Sequence, residues 1–509
     1  MNSRATRENS PALVRARSII GMTARRITVE CHCGPGLPSF NIVGLADSAL
    51  KESRDRIKSA LTNSGWAFPE GRVIVNLAPG HVPKQGTTLE LAIALSILAA
   101  DHKLPNAKLE HAEFIGELSL YGGLRPVNGA ILAALACARE ETTLIAPQDN
   151  QAELSLAAQQ GDVRLAQNLR QVVDHLLHQQ TLTTPVRAAP QRVTRQRHPL
   201  GPILGQQMAK RALIIAAAGG HHLLMVGPPG SGKTMLARAL RDLLPDLTAA
   251  EALETAAVFS IAGQTRSDHL RPPFRDPHHS ASAAAMLGGG SQPTPGEATL
   301  AHRGVLFLDE LPHFKPGVLN LLREPLEEGE AVISRARYKV RYPCQFQLVA
   351  AMNPCPAGRH CREAQCRCAP GERLRYQGRI SGPLLDRIDL QIWVPELPRD
   401  LLTRAEPQAE QADPSDSIIA ARRRALNRQG HANCALQRDA IEAHAQQAAI
   451  EPAYLKRAIE TYRLSARSYH KVWRVARTIA DLAEHTNVEM EDFSEALSYR
   501  ALDWEGGVS

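Results

Sequence analysis

The spacing of apolar residues changes character along this chain. Up to about residue 178, β-like runs such as Ile27-Thr28-Val29-Glu30 and Val73-Ile74-Val75-Asn76 alternate with helically spaced stretches, Ser48 to Leu61, Leu89 to Ala100 and Ala130 to Arg139. Loops rich in Gly and Pro separate them, a mixture that predicts an α+β or α/β domain over 12–178. From Gln179 to Pro199 the chain is polar and basic, with Pro185, Pro190, Arg192, Arg195 and Arg197, and reads as a linker. Over 200–398, apolar runs at Leu223 to Val226, Val305 to Leu308 and Phe346 to Ala351 alternate with helical spacing, the pattern of a parallel, doubly wound sheet. A second polar stretch, Arg404 to Asp416, leads into a tail where Leu464, Val472, Val475, Ile479 and Leu482 recur at helical spacing, so 413–505 is expected to be all-helical. No internal repeat is visible.

The first core strand runs into Gly227-Pro228-Pro229-Gly230-Ser231-Gly232-Lys233-Thr234, and a helical stretch from Met235 to Leu244 follows. Strand, Gly-rich turn and helix together make a phosphate-binding loop. The glycines let backbone N–H groups face the α/β-phosphates, Lys233 reaches the β/γ-phosphates, and the Thr234 hydroxyl serves Mg²⁺. Val305-Leu306-Phe307-Leu308-Asp309-Glu310 puts two carboxylates at the carboxyl end of a buried strand, where ligands sit in open α/β sheets. Asp309 is suited to the Mg²⁺ water shell and Glu310 to polarising the attacking water. The strand ending at Met352 is followed by Asn353, which could hold the γ-phosphate or the lytic water. In Leu384-Leu385-Asp386-Arg387-Ile388-Asp389, Arg387 offers a fixed charge that could reach a neighbouring subunit's γ-phosphate. An arginine paired with Asp386 or Asp389 is the other reading of that segment.

The order of these pieces resembles the AAA+ ATPases. Pro277-His278-His279-Ser280-Ala281-Ser282, Gly288-Gly289-Gly290-Ser291, Leu308-Asp309-Glu310-Leu311-Pro312, Ala351-Met352-Asn353-Pro354-Cys355-Pro356 and Ile380 to Asp389 resemble, more narrowly, the ComM/YifB family of magnesium-chelatase-like ATPases. The resemblance implies an ATP- and Mg²⁺-dependent homo-hexameric ring with Asn353 as sensor 1, Arg387 as the arginine finger acting in trans, and a lid arginine as sensor 2. Arg467 is the first choice for that lid residue and Arg474 the second.

The N-terminal segment is similar to the Lon protease-like domain, whose chemistry needs a serine activated by a lysine. Pro83-Lys84-Gln85-Gly86-Thr87-Thr88-Leu89 matches the stretch around the serine, and Pro126-Val127-Asn128-Gly129-Ala130-Ile131 the stretch around the lysine. Thr88 then stands at the nucleophile position and Ile131 at the lysine position. A hydroxyl without a base is a weak nucleophile, so a non-proteolytic module is expected.

Ahead of the Asn353 strand, Arg335, Arg337, Lys339 and Arg341 alternate with Ala336, Tyr338, Val340 and Tyr342. In an extended chain the basic residues share one face, a natural phosphate contact; an edge strand protected by charge shows the same pattern. The resemblance suggests a pore hairpin here. It also makes His269 to Gly290 a helix-2 insert, with His278 and His279 in structural or pore roles. Cys355, Cys361, Cys366 and Cys368 could bring four thiolates to one tetrahedral Zn²⁺. The spacing is not that of paired C-x-x-C knuckles, and Ala357 stands where the family often has a further Cys.

Composition narrows the class. With 509 residues, about three domains are expected. The apolar run Leu91 to Ala100 falls far short of the ~20 residues of a membrane span, and the Arg-bearing N-terminus lacks a signal-peptide apolar block, which predicts a cytoplasmic protein. Nine cysteines are too few for a disulfide scaffold at this length. A net charge of +7 permits an acidic partner. The expected function is a hexameric DNA motor acting on single-stranded and branched DNA, resembling a branch-migration helicase of natural transformation. A protein remodeller or a magnesium-chelatase-type subunit is the rival, because fold alone does not select among them.

Overall fold

The computed structural model describes residues 11–44, 50, 52–82, 84, 87–186, 198–290, 293–335, 338–358, 368–369, 371–397 and 413–500. It divides into two compact units, one formed by Met1–Gln191 with Ala249–His269 and the other by Arg192–Thr248 with Leu270–Ser509.

The first unit is built on a seven-stranded sheet: β1 (Ala12–Ile20), β2 (Thr23–Gly34), β3 (Ser39–Val43), β4 (Arg72–Ala78), β5 (Ala112–Phe114), β6 (Thr143–Pro147) and β7 (Val163–Ala166). Their spatial order is β3-β4-β2-β1-β5-β6-β7. In β4 the alternation is plain, with Val73, Val75 and Leu77 buried between more exposed neighbours. Helix α1 (Glu90–Ala100) packs on β1 and β2 and buries every residue from Glu90 to Ala99, which is why its sequence is apolar almost all round. Helices α2 (Ala130–Arg139) and α3 (Gln151–Ala157) form a second, alanine-rich core.

Onto that core packs the helix Ala249–Ile261, through Ala256 and Ala257. The backbone N–H of Gly129 donates to Ser260 Oγ at 3.0 Å. This helix lies in the middle of the sequence span expected to form the nucleotide-binding core. Its apolar face matches the small residues of α2, and hydrophobic spacing does not say which core a face will join.

The second unit holds a five-stranded sheet of β8 (Leu223–Val226), β9 (Phe274–Arg275), β10 (Val305–Leu308), β13 (Gln347–Met352) and β14 (Leu390–Trp393), in the order β9-β10-β13-β8-β14. All neighbours are parallel. The strands β11 (Glu330–Arg335) and β12 (Tyr338–Pro343) form a separate antiparallel pair. Every residue of β8, β10 and β13 is buried, as expected for a sheet covered on both faces. Strand order reverses at β8, which opens a crevice at its carboxyl end. Helices α4 (Gln207–Gly219) and α5 (Lys233–Leu243) flank it.

The α/β class with a parallel core and a helical C-terminal region is what the sequence predicts. The C-terminal helices α6 (Ser415–Gln429), α7 (Ala466–Leu482) and α8 (Met490–Ser498) share a core with the sheet, including Trp473 and Phe493 with ring centroids 5.0 Å apart. A buried polar network fastens them to it. His221 Nδ1 lies 3.2 Å from Asp389, and its Nε2 lies 2.7 Å from the Thr478 hydroxyl. Asn433 donates to Thr478 and Asp481, and Arg428 makes a bidentate pair with Asp481. Burial alone would raise the Asp389 carboxyl, yet the bond from His221 and the charge of Lys471 hold it below the usual range. Among the described residues no helix is long and apolar enough to cross a membrane.

Candidate nucleotide site

Strand β8 ends at Val226 and α5 begins at Lys233, so Gly227 to Gly232 form the connecting loop. At Gly227 a Cβ would stand 2.2 Å from the Val394 carbonyl oxygen, so only glycine lets these two backbones approach. Gly232 caps α5 with φ +88° and open space where a side chain would be. The loop therefore surrounds the positive end of an 11-residue helix with unhindered backbone, which suits a phosphate. Pro228, Pro229, Gly230 and Ser231 complete it.

Lys233 is 8% exposed. Its ammonium donates to the carbonyls of Gly227 at 2.7 Å and Pro228 at 2.8 Å, and to Asn353 Oδ1 at 3.3 Å. Burial pushes its pKa down while the charge of Asp309 opposes that shift. The Thr234 hydroxyl donates to Asp309 Oδ2 at 3.0 Å, and Asp309 Oδ1 accepts the N–H of Glu310 at 2.9 Å. Parallel registers explain the convergence: Val226 pairs with Met352 and Leu308 with Ala350, so Gly227, Asp309 and Asn353 leave the sheet side by side at one edge. A carbonyl-cradled lysine and a hydroxyl next to a carboxylate fit a triphosphate with Mg²⁺, which takes few protein oxygens and keeps several waters. Glu310 adopts a left-handed backbone, φ +52°, and its carboxylate faces two histidines, His279 at 3.3 Å and His313 at 3.7 Å. Sequence reading gave His279 a structural or pore role and did not single out His313. Asp276 was missed too: burial and the charge of Asp309 raise its pKa.

Arg387 is elsewhere. Strand β14 pairs Leu390 with Leu223 and Trp393 with Val226, so the residues ahead of Leu390 lie at the amino edge of the sheet, about 10 Å or more from the loop that follows Val226. Arg387 pairs with Glu327 rather than with Asp386 or Asp389, and Asp389 is taken up by His221. Burial lowers the Arg387 pKa, and the positive charges of Arg323 and Arg467 lower it further, so three guanidinium groups gather at this edge. Arg474 instead donates to the Leu436 carbonyl at 2.9 Å within the helical tail.

The basic segment lies in a hairpin, the form the resemblance suggested, so its strand is not one continuous ribbon. Arg335 pairs in register with Tyr338, and Arg337 lies outside the described residues. The expected alternation holds in β12: Lys339 and Arg341 are exposed while Val340 and Tyr342 are buried. Arg341 carries a 2.9 Å pair with Glu330.

Among the described residues no group of three His, Cys, Asp or Glu could hold a metal ion. Cys361 and Cys366 lie outside the described residues, Cys368 is half-buried, and buried Cys355 is disulfide-bonded, which leaves it no thiolate to offer. In the first unit, Thr88 is half-buried before α1 and Ile131 is fully buried in α2. Lys84 is buried with its ammonium donating to the Pro79 carbonyl.

Residues 200–402 match the family described as magnesium chelatase, subunit ChlI; residues 29–150 match subunit ChlI of Mg-chelatase, and residues 409–500 its C-terminal region. The chain is 42% identical over 498 residues to an uncharacterized protein, YifB, of Escherichia coli, covering 97% of this chain and 98% of that one. It is 43% identical over 500 residues to the competence protein ComM of Haemophilus influenzae, with 97% and 98% covered. The 38 kDa magnesium-chelatase subunit of Cereibacter sphaeroides is 27% identical over 227 residues, 41% of this chain and 61% of that one. This chain belongs to the ComM/YifB family of magnesium-chelatase-like AAA+ ATPases, and that membership implies ATP and Mg²⁺ as its cofactors.

Proposed function

We propose that the chain is the subunit of a homo-hexameric, ATP-driven DNA motor, a branch-migration helicase of homologous recombination and natural transformation, acting on single-stranded and branched DNA in the cytoplasm. The observation that carries the motor reading is the split of the hydrolytic residues between two edges of one sheet. Lys233, Thr234, Asp309, Glu310 and Asn353 stand at the carboxyl edge, and Arg387 stands at the amino edge. Such a subunit supplies most of one site and the finger of the next, so turnover requires a ring. Full-length similarity to a competence protein supports the DNA reading.

In this mechanism Lys233 exchanges the two loop carbonyls for the β/γ-phosphates. Thr234 and Asp309 would hold the water shell of Mg²⁺, which when bound would supply charge neutralisation at the phosphates. Glu310 takes the proton of the attacking water, and Asn353, already in contact with Lys233, holds the γ-phosphate end. Arg387 of the neighbouring subunit, with Arg467 beside it as sensor 2, meets the charge that develops in transfer. Arg335, Arg337, Lys339 and Arg341 contact the DNA backbone from the hairpin. The Lon-like unit is non-proteolytic, because a buried Ile131 replaces the activating lysine and Lys84 is engaged with its own loop. Zinc on Cys355, Cys361, Cys366 and Cys368 belongs to the reduced protein, where all four are thiolates; metal content measured under reducing and oxidising conditions tests it.

The second reading, a protein remodeller or magnesium-chelatase-type subunit, draws on the partial likeness to a magnesium-chelatase subunit. ATPase rate and oligomer size, measured with and without single-stranded and branched DNA, separate the two. A motor on DNA is stimulated by one or both; a flat response to every DNA sinks the DNA reading.

A further inference from the structure

We infer that His279 is a positioning residue for the Glu310 carboxylate, an inference that rests on Glu310 as the group that takes the proton of the attacking water. A half-exposed glutamate can occupy several rotamers, and a base must present one oxygen to water in a fixed place. Here two imidazoles from different segments address the same oxygen. His279 Nδ1 is 3.3 Å from Glu310 Oε2, and His313 Nδ1 is 3.7 Å from that same atom. Both of these approaches are to Oε2, which leaves Oε1 as the oxygen to present to water.

His313 follows Glu310 by one short turn, Leu311–His313, and moves with it. His279 does not. It sits in the segment between β9 and the short helix Ala283–Leu287, a different stretch of chain from Glu310. The His278 ring lies 4.1 Å from it, centroid to centroid, and His278 Nδ1 is bonded at 2.7 Å to the Ser280 hydroxyl. The His279 ring also meets the edge of buried Phe314 at 6.5 Å, and His313 stands edge-on to buried Tyr376 at 6.0 Å. The same segment brings Asp276 into the field of Asp309, so it flanks both carboxylates of the Asp-Glu pair. An anchored ring on a separate segment fixes one carboxylate oxygen, and the other is thereby aimed. Misplacing a reacting group by about 1 Å can cost a hundredfold in rate.

Steady-state ATPase of the full chain tests this with His279→Ala, His279→Asn, Glu310→Gln and the double variant His279→Ala/Glu310→Gln. The expected result is a loss of about ten- to a hundredfold in kcat for His279→Ala with KM for ATP and nucleotide affinity within about twofold of the parent. His279→Asn, which keeps a donor near the Nδ1 position, recovers a large part of that loss. In the Glu310→Gln background, followed by single turnover, removing His279 costs nothing further. The inference is overturned by a kcat within twofold of the parent in His279→Ala, by a loss carried in KM, or by multiplicative losses in the double variant. If His279→Ala no longer binds nucleotide, His279→Asn decides by the same kcat and KM criteria. Near-normal turnover in Glu310→Gln itself would instead remove the underlying reading of Glu310.

Discussion

The hydroxyl of Thr234 donates a 3.0 Å hydrogen bond to Asp309, 75 positions away in the chain, and so joins the phosphate loop directly to the acidic strand end. The bond places the hydroxyl and carboxylate where they can share one Mg²⁺ shell. Replacing Thr234 by Val removes the hydroxyl and leaves the volume. ATPase should fall by about ten- to a hundredfold at limiting Mg²⁺, with partial recovery at high Mg²⁺. Lys233→Ala should abolish turnover at any Mg²⁺ concentration. A Mg²⁺ titration of both variants checks the pair, and equal Mg²⁺ dependence in Thr234→Val and parent would speak against the assignment.

Arg387 stands at the sheet edge opposite its own phosphate loop, so its partner phosphate should belong to another subunit. Arg387→Ala and Glu310→Gln rings are each expected to be inactive. Mixed rings should regain part of the turnover, because some interfaces then combine an intact finger with an intact glutamate. Complete silence at every mixing ratio, with mixed rings verified by mass, would count against action in trans.

The hairpin makes a prediction that a charge-protected edge strand does not. Each phosphate neutralised by Lys or Arg contributes about 0.7 to the fall of log K with log[salt] on single strands. Arg335→Ala/Arg337→Ala should flatten that slope by roughly 1 to 1.5 units, weaken binding alike on all sequences, and leave basal ATPase and assembly intact. An unchanged slope in a well-assembled variant returns the segment to the role of a protected edge.

If the first unit is catalytically silent, the purified protein should cleave neither casein nor peptides with or without ATP, and Thr88→Ala should leave motor activity unchanged. Proteolysis that follows the protein through purification and vanishes in Thr88→Ala would reverse that reading.

His222 lends the second unit a pH dependence whose sign can be worked out. Burial lowers its pKa to about 4, and its Nδ1 accepts the N–H of Leu348 at 3.0 Å, a bond only the neutral ring can make. The unfolded chain takes up this proton below about pH 6.5 and the folded chain does not. Stability from this group is therefore complete above about pH 6.5 and is lost as pH falls toward 4, by up to about 1.4 kcal/mol per pH unit. His222→Asn keeps an acceptor near the same place without the titration. Its melting temperature should fall less than the parent's between pH 6.5 and 4.5, and parallel curves would show that His222 is not the cause.

What could be read in the sequence was contiguous. Strand, loop and helix around Lys233 occupy one short stretch, and the carboxylates at 309 and 310 follow directly from the apolar run that buries their strand. What could not be read depends on segments meeting in space. The spacing of apolar residues in Ala249–Ile261 shows a helix with a buried face and is silent about which core receives it. Period-two alternation from 335 to 341 does not reveal that β11 and β12 pair antiparallel. Arg387, whose charge feels that of Arg467, and Glu310, which His279 faces, lie far from them in sequence, and no local pattern names either pairing.

The helix Ala249–Ile261 also bears on how the protein is made. Residues 1–191 leave the ribosome well before this helix exists, so the face of α2 and α3 that it covers stays open while the next segment is synthesised. That segment, 192–248, is the one that contains the phosphate loop. During translation the α2 and α3 face is therefore covered by this helix only after the nucleotide-binding loop has emerged.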